Sequence, residues 1–302
     1  MGNDRCDEFT SPFEIRKPRF TLDENLILSE QTRNMLSEAI SALKYHKIIY
    51  TDWGFENVDP AGRNMIINLY GPPGTGKTLA AEAFAGSIGR DIIHISIAEI
   101  ESKFVGDTAK NISIAFKHAS NEGAVLFFDE ADTLLGRRLS SVTQGIDNEI
   151  NAMRSTLLIE LERFDGVAIF ATNFAKNYDK AFVSRIRYHI EFSLPGFDER
   201  VRMWERFLVP GIPLSDSREI IVNSCAEMSD GLSGREIRNT LRTALPKAIV
   251  GNIDSPALSK EHLELSINDI LRSKKHVGGN ITSDIDSVSA VEPARQLLGV
   301  NK

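Results

Sequence analysis

The stretch that decides the fold is Met65-Ile66-Ile67-Asn68-Leu69-Tyr70-Gly71-Pro72-Pro73-Gly74-Thr75-Gly76-Lys77-Thr78-Leu79-Ala80-Ala81-Glu82-Ala83-Phe84-Ala85. An apolar run suited to a strand leads into the pattern G-x-x-x-x-G-K-[ST], and a helix-forming run follows. Strand, glycine loop and helix are the context in which this pattern cradles phosphate. Glycines let the backbone turn through conformations that a Cβ would forbid. The loop runs Gly71, Pro72, Pro73, Gly74, Thr75 and Gly76, and the N–H groups of its non-proline residues then face inward as an anion nest. The helix after it adds its positive N-terminus. Lys77 is placed to reach β- and γ-phosphates, and the Thr78 hydroxyl to hold Mg²⁺. The alternative is a Gly-rich turn that binds nothing, and both flanks weigh against it.

Around this loop, apolar runs alternate with helical patterns. Strands are predicted at Ile66–Tyr70, Asp91–Ile97, Ala124–Phe128, Val167–Thr172 and His189–Phe192. Helices are predicted within Asn25–Ile49 and near Leu79–Ser87, Ala109–Ser120, Asp147–Arg163 and Asp179–Ser184. Continuous apolar strands alternating with helices imply an α/β fold, a parallel sheet covered on both faces. After Leu194-Pro195-Gly196 only helical patterns remain, at Asp198–Leu208, Arg218–Met228, Gly234–Ile249 and Ser259–Leu271. The expected organisation is therefore a flexible leader over 1–22, a nucleotide-binding αβ domain over 23–194, a small α-helical lid domain over 195–272 and a flexible tail over 273–302.

Two further motifs follow the loop in order. Val125-Leu126-Phe127-Phe128-Asp129-Glu130 is an apolar strand ending in adjacent acids. Buried charge is costly without a partner, so a metal or cation is expected there. This is the Walker B pattern: Asp129 is expected to hold Mg²⁺, and Glu130 to polarise the attacking water. Ala171-Thr172-Asn173 closes the fourth strand, where Asn173 can orient that water. An Asn at a strand end is by itself only a turn former. Arg185 and Arg187 lie before the last strand. Either one alone could equally be a surface ion pair, or an arginine acting in trans on a transferring phosphoryl group.

Composition sets outer limits. The chain has 302 residues, 42% apolar and 25% charged, enough for two domains with a full core. The net charge of −7 argues against a large nucleic-acid footprint. Basic residues gather at Arg272, Lys274 and Lys275, which reads as a solvated helix end. The two cysteines, Cys6 and Cys225, form neither a disulfide framework nor a metal pair, so a reducing compartment is expected. No apolar run approaches a membrane span and no signal peptide is present, which points to a cytoplasmic protein.

In this order the motifs resemble the AAA family of ATPases, from about Asp23 to Leu271. The residues that carry the resemblance are Gly71–Thr78, Phe127-Phe128-Asp129-Glu130, Phe170-Ala171-Thr172-Asn173 and Ser184-Arg185-Ile186-Arg187-Tyr188-His189-Ile190. The resemblance implies a ring, usually a hexamer of identical chains, with ATP at the subunit interfaces. It gives Asn173 the sensor 1 role and Arg185 the arginine-finger role on a neighbour's ATP. A second finger three residues on would fall on Tyr188, and Arg187 lies one place early. Gly231-Leu232-Ser233-Gly234-Arg235-Glu236 resembles the start of the small-domain helix. Many members have alanine after the second glycine, and Arg235 there looks like a sensor 2 arginine contacting the γ-phosphate. Lys103-Phe104-Val105-Gly106-Asp107 resembles pore loop 1, an aromatic tip that grips extended polypeptide, and Ser140–Asn148 sits where pore loop 2 would be.

The function implied is an ATP-hydrolysing motor that remodels, unfolds or disassembles protein clients through a central pore. An adaptor or a separate protease is compatible with that reading, and no membrane or nucleic-acid partner is expected. The rivals are a nucleotide-dependent assembly switch and a nucleic-acid motor or loader. Glu130 and Phe104 favour the motor, and the acidic balance disfavours nucleic acid.

Overall fold

Five apolar runs become the five parallel strands expected of them, within a six-stranded sheet. A computed structural model describes residues 13–59, 62, 64–96, 108–135, 145–173, 178–251 and 253–278. The strands are β1 (Ile15–Arg16), β2 (Met65–Tyr70), β3 (Ile92–Ser96), β4 (Val125–Asp129), β5 (Val167–Thr172) and β6 (Tyr188–Glu191), in the spatial order β1-β3-β4-β5-β2-β6. Strand β2 pairs in parallel with β5 from Met65↔Val167 to Tyr70↔Thr172, and with β6 from Ile67↔Tyr188. Strand β4 lies parallel between β3 and β5.

Side chains on these strands alternate between two cores, because successive residues point to opposite faces. On one face Ile66, Leu126, Phe128, Ala168 and Phe170 pack with α4 (Thr108–Glu122) and α6 (Gly145–Arg163). The Phe128 and Phe170 rings stack there at 4.9 Å and 7°. On the other face Ile67, Leu69, Val125, Phe127, Val167 and Ile169 meet α2 (Glu30–Lys44) and α3 (Lys77–Ser87). Helix α2 starts where Ser29 Oγ accepts the Thr32 N–H at 3.2 Å, an N-cap. Helix α3 is alanine-rich, and Ala80, Ala81, Ala83 and Ala85 let it lie close against the sheet.

Three expectations are corrected. Residues 13–22 are not a loose leader. Strand β1 pairs antiparallel with the sheet edge at Ile15↔Ile93, Arg19 pairs with Glu82, and the Leu22 N–H donates to Ser87 Oγ at 3.0 Å. Leu22 belongs to a four-residue helix, α1 (Leu22–Asn25), and is itself buried. The helical pattern expected to Leu271 runs on to Gly278 as α11 (Lys260–Gly278), beyond the expected tail boundary. Arg272, Lys274 and Lys275 are exposed there, as expected of a solvated helix end, and the Lys274 Nζ donates to Gly231 O at 2.8 Å and Glu236 Oε2 at 3.1 Å. The boundary between compact units falls after Glu199 rather than Leu194: one unit comprises Met1–Glu199 with Ser233–Arg235, the other Arg200–Leu232 with Glu236–Lys302.

The second unit is helical, built from the greater part of α8 (Phe197–Phe207), from α9 (Arg218–Met228), from α10 (Gly234–Gly251) beyond its first residues, and from α11. Its core centres on Trp204, with Leu208, Ile221, Val222, Leu232 and Leu263 around it. The buried indole N–H donates to Ser229 Oγ at 3.0 Å, and that hydroxyl donates to Cys225 O at 2.6 Å, so both polar groups are satisfied. Burial pushes the Cys225 thiol up to about 12. The thiolate is the reactive form. Iodoacetamide at mildly alkaline pH is therefore expected to leave Cys225 unmodified in the folded chain and to alkylate it in urea, as read by peptide mass spectrometry.

Candidate active site

Strand β2 delivers the phosphate loop at the C-terminal edge of the sheet. Gly71 has φ 142°, and a Cβ there would lie 2.1 Å from the Phe192 carbonyl oxygen. Only glycine lets the chain leave β2 alongside β6. Gly74 and Gly76 follow with φ 79° and 104°. Thr75 Oγ1 donates to Pro72 O at 2.9 Å, closing the loop on itself.

Lys77 opens α3 and is buried. Its ammonium folds back over the loop, donating to Gly71 O at 2.7 Å and Pro72 O at 2.9 Å. Burial lowers its pKa below the usual lysine value, although Asp129 and Asp132 pull it upward and Arg235 adds to the lowering. The loop thus holds a desolvated cation under its carbonyls.

Thr78 Oγ1 donates to Asp129 Oδ2 at 3.0 Å, joining the loop to the end of β4. Burial of Asp129 opposes its ionisation. Contact with His94, whose Nε2 lies 3.5 Å from Oδ2, outweighs burial together with the bonds from Thr78 and the Glu130 N–H, so the carboxyl titrates below its ordinary range. A hydroxyl and an ionised carboxylate oxygen at this spacing are a hard-oxygen donor pair, which suits Mg²⁺ beside nucleotide phosphates. Among the described residues no cluster of three His, Cys, Asp or Glu offers a metal site of another kind.

Glu130 is exposed and has φ 55°, the one non-glycine residue with positive φ among those described. Such strain persists where neighbours fix it, and is commonest at functional sites. Here the next N–H, of Ala131, donates to Ala171 O on β5 at 2.9 Å. In return the Asn173 N–H donates to both Asp132 oxygens, at 3.0 and 3.3 Å. The loop, the two acids and Asn173 thus meet at one sheet edge.

The arginines divide. The Arg235 N–H donates to Gly74 O at 3.2 Å, and its Cβ lies 2.9 Å from where a Cβ on Gly74 would stand, so this residue sits beside the loop. Arg185 bonds Glu162 near the end of α6, and also Ala181 O. The Arg187 N–H donates to Ile66 O, near the start of β2, about 17 Å from Gly71 at a strand's rise per residue. The Arg187 side chain is engaged within its own chain, donating to Tyr50 Oη at 3.3 Å and Gly62 O at 3.2 Å. Both residues lie toward the end of the sheet away from the loop. Lys103, Phe104, Val105 and Gly106 lie outside the described residues, as does most of Ser140–Asn148.

Two site residues were missed by sequence reading, His94 and Asp132. Asp132 could have been noticed as a third acid in Asp129-Glu130-Ala131-Asp132, while His94 gives no signal beyond being a polar residue in an apolar strand.

Two outcomes follow. Gly71→Ala is expected to cost about 1–3 kcal/mol in urea unfolding, because the obstacle is backbone and cannot rotate away. Phosphate beside Lys77 favours its charged form and raises its pKa. ATP binding is therefore expected to take up protons at alkaline pH and none through this group at neutral pH, measured by calorimetry in buffers of different ionisation enthalpy.

Comparison with known proteins agrees with this geometry. Residues 67–194 match the family described as the ATPase family associated with various cellular activities (AAA). A putative 26S proteasome regulatory subunit homolog of Methanothermobacter marburgensis is 33% identical over 214 residues, 70% of this chain and 56% of its own. The proteasome-activating nucleotidase of Saccharolobus solfataricus is 32% identical over 242 residues, 78% of this chain and 59% of its own. The chain thus spans little more than half the length of these relatives. Among solved structures, the FIGL-1 AAA domain in complex with ADP superposes with TM-score 0.68 at 19% identity, over 87% of this chain and 92% of its own, which supports the fold. With its phosphate loop, paired acids and strand order in place, the chain belongs to the AAA family of ATPases.

Proposed function

We propose that the chain is an ATP-hydrolysing ring motor that remodels protein clients. The observation that carries this reading is the convergence of Lys77, the Thr78–Asp129 pair, Glu130 and Asn173 at one sheet edge. In this reading the loop N–H groups and Lys77 bind the β- and γ-phosphates. Thr78 and Asp129 would hold Mg²⁺, whose charge would offset that of the phosphates. Glu130 accepts the proton of the attacking water and Asn173 orients it. Arg235 contacts the nucleotide in cis.

Arg185 acts on the ATP of a neighbouring copy. Its bond to Glu162 near the end of α6 supports action in trans, away from its own loop. Arg187 is committed to Tyr50 and Gly62, which weighs against a second finger. Exposed apolar surface supports assembly: Tyr45, Ile48, Trp53, Phe55 and Val58 are exposed within one short stretch, Trp53 and Val58 at 76% and 77%. Phe104 would line the central channel of a hexamer. Relatives named for the proteasome favour protein clients and leave room for a separate protease. Among the described residues no helix is long and apolar enough to cross a membrane.

Glu130→Gln is expected to bind ATP, lose hydrolysis and grow to about six subunits with ATP and Mg²⁺ in light scattering, because the trapped state keeps every binding contact. A chain that stays monomeric with ATP bound would sink the ring, and with it the trans role of Arg185. Phe104→Ala is expected to keep ATP hydrolysis and abolish unfolding of a tagged protein client; client unfolding at the wild-type rate would remove threading from this reading.

A further inference from the structure

We propose that Asp132 is a positioning residue: its carboxylate locks the end of β5 to the turn that carries Glu130, and so sets where Asn173 stands relative to Glu130. This rests on the hydrolytic reading above. Two bonds run in opposite directions between the same two turns. The Asn173 N–H donates to Asp132 at 3.0 and 3.3 Å, and the Ala131 N–H donates to Ala171 O at 2.9 Å. Either bond alone would let the turns pivot, whereas the pair holds them in one orientation.

The acid itself is firmly seated. It opens the short helix α5 (Asp132–Leu135), whose Leu134 and Leu135 are fully buried in the core with Phe182 and Ile186. The far end of α5 is tied as well, the Asp179 N–H donating to Leu135 O at 2.9 Å. Glu130, one residue beyond β4, keeps its positive φ only because what surrounds it allows no relaxation. A carboxylate that accepts a backbone N–H with both oxygens makes a stronger bond than a neutral acceptor.

The test uses the full chain and four variants: Asp132→Ala, Asp132→Asn, Asn173→Ala and the double variant Asp132→Ala with Asn173→Ala. Phosphate release gives kcat, and titration with a fluorescent ATP analogue gives Kd. Losing a charge-assisted bond that acts only on geometry is expected to lower kcat about 10- to 100-fold in Asp132→Ala. Kd should stay within about threefold, which separates positioning from binding. Asp132→Asn keeps one oxygen acceptor and is expected to recover most of the loss. The double variant is expected to fall no further than Asn173→Ala, because both changes remove the same alignment.

The proposal is overturned if Asp132→Ala keeps kcat within about twofold, or if Asp132→Asn is as slow as Asp132→Ala, which would make charge the cause. Additive losses in the double variant, or loss of fold or of ATP binding in Asp132→Ala, overturn it equally. A wild-type chain that hydrolyses ATP beside an unaffected Asp132→Ala removes this inference alone. A wild-type chain that binds ATP and releases no phosphate removes the hydrolytic reading as well.

Discussion

Parallel strands must all end on the same side of their sheet, and the rest of this molecule depends on that constraint. Each return crossing carries the chain back to the far side, so the C-terminal ends of β2, β4 and β5 lie together. Gly71, Asp129 and Asn173 are far apart in sequence and become neighbours for that reason alone. The Thr78–Asp129 bond then spans 51 positions of chain at 3.0 Å. Register is what makes the meeting accurate. A slip by one residue would send Phe127 into the core that Phe128 fills and break the Phe128–Phe170 stack. The position of the paired acids is thus determined by apolar packing several residues away from them.

The electrostatics of the edge are unbalanced by design of the sequence. Asp129 and Asp132 pull the Lys77 ammonium toward its charged form, and Arg235 opposes them. Hydrogen bonds from Thr78, His94 and the Glu130 N–H keep Asp129 ionised in spite of its burial. Lys77, in turn, is held as a cation against desolvation partly by the same carboxylates. The acids thus support the charge of the lysine, while Asp129 itself is held ionised by His94, Thr78 and the Glu130 N–H.

Much of this was legible in the sequence, and the reasons differ by element. Strand β5 was read to the residue because Val167–Thr172 is a continuous apolar run buried on both faces. The loop was legible because its glycines answer a backbone demand that holds in any context. Strand β1 was missed because two residues carry no periodicity: Ile15 and Arg16 are extended because Ile93 and Ile92 offer them partners. The end of α11 was set too early because the exposed polar run from Arg272 carries no apolar periodicity, while the bonds of Lys274 to Gly231 and Glu236 tie it down. The place of Arg187 turns on Tyr50 and Gly62, more than a hundred residues away. Asp132 and His94 escaped for the same reason, since their importance is a distance and sequence records only order.

The lysine that leans on its own loop has a consequence for selectivity. The Gly71 and Pro72 carbonyls occupy the Lys77 ammonium at 2.7 and 2.9 Å, and so act as a built-in pseudo-ligand. Recruitment of Lys77 by any anion is therefore an exchange, judged against two oxygens that are always at hand and cost nothing to bring together. A small solitary anion that trades one such contact for another gains little. A polyphosphate that also engages the nest of backbone N–H groups gains enough to displace them. In the proposed reading the resting loop would filter the salts and metabolites around it by how many points of attachment they offer, before any contact with the base or sugar is made.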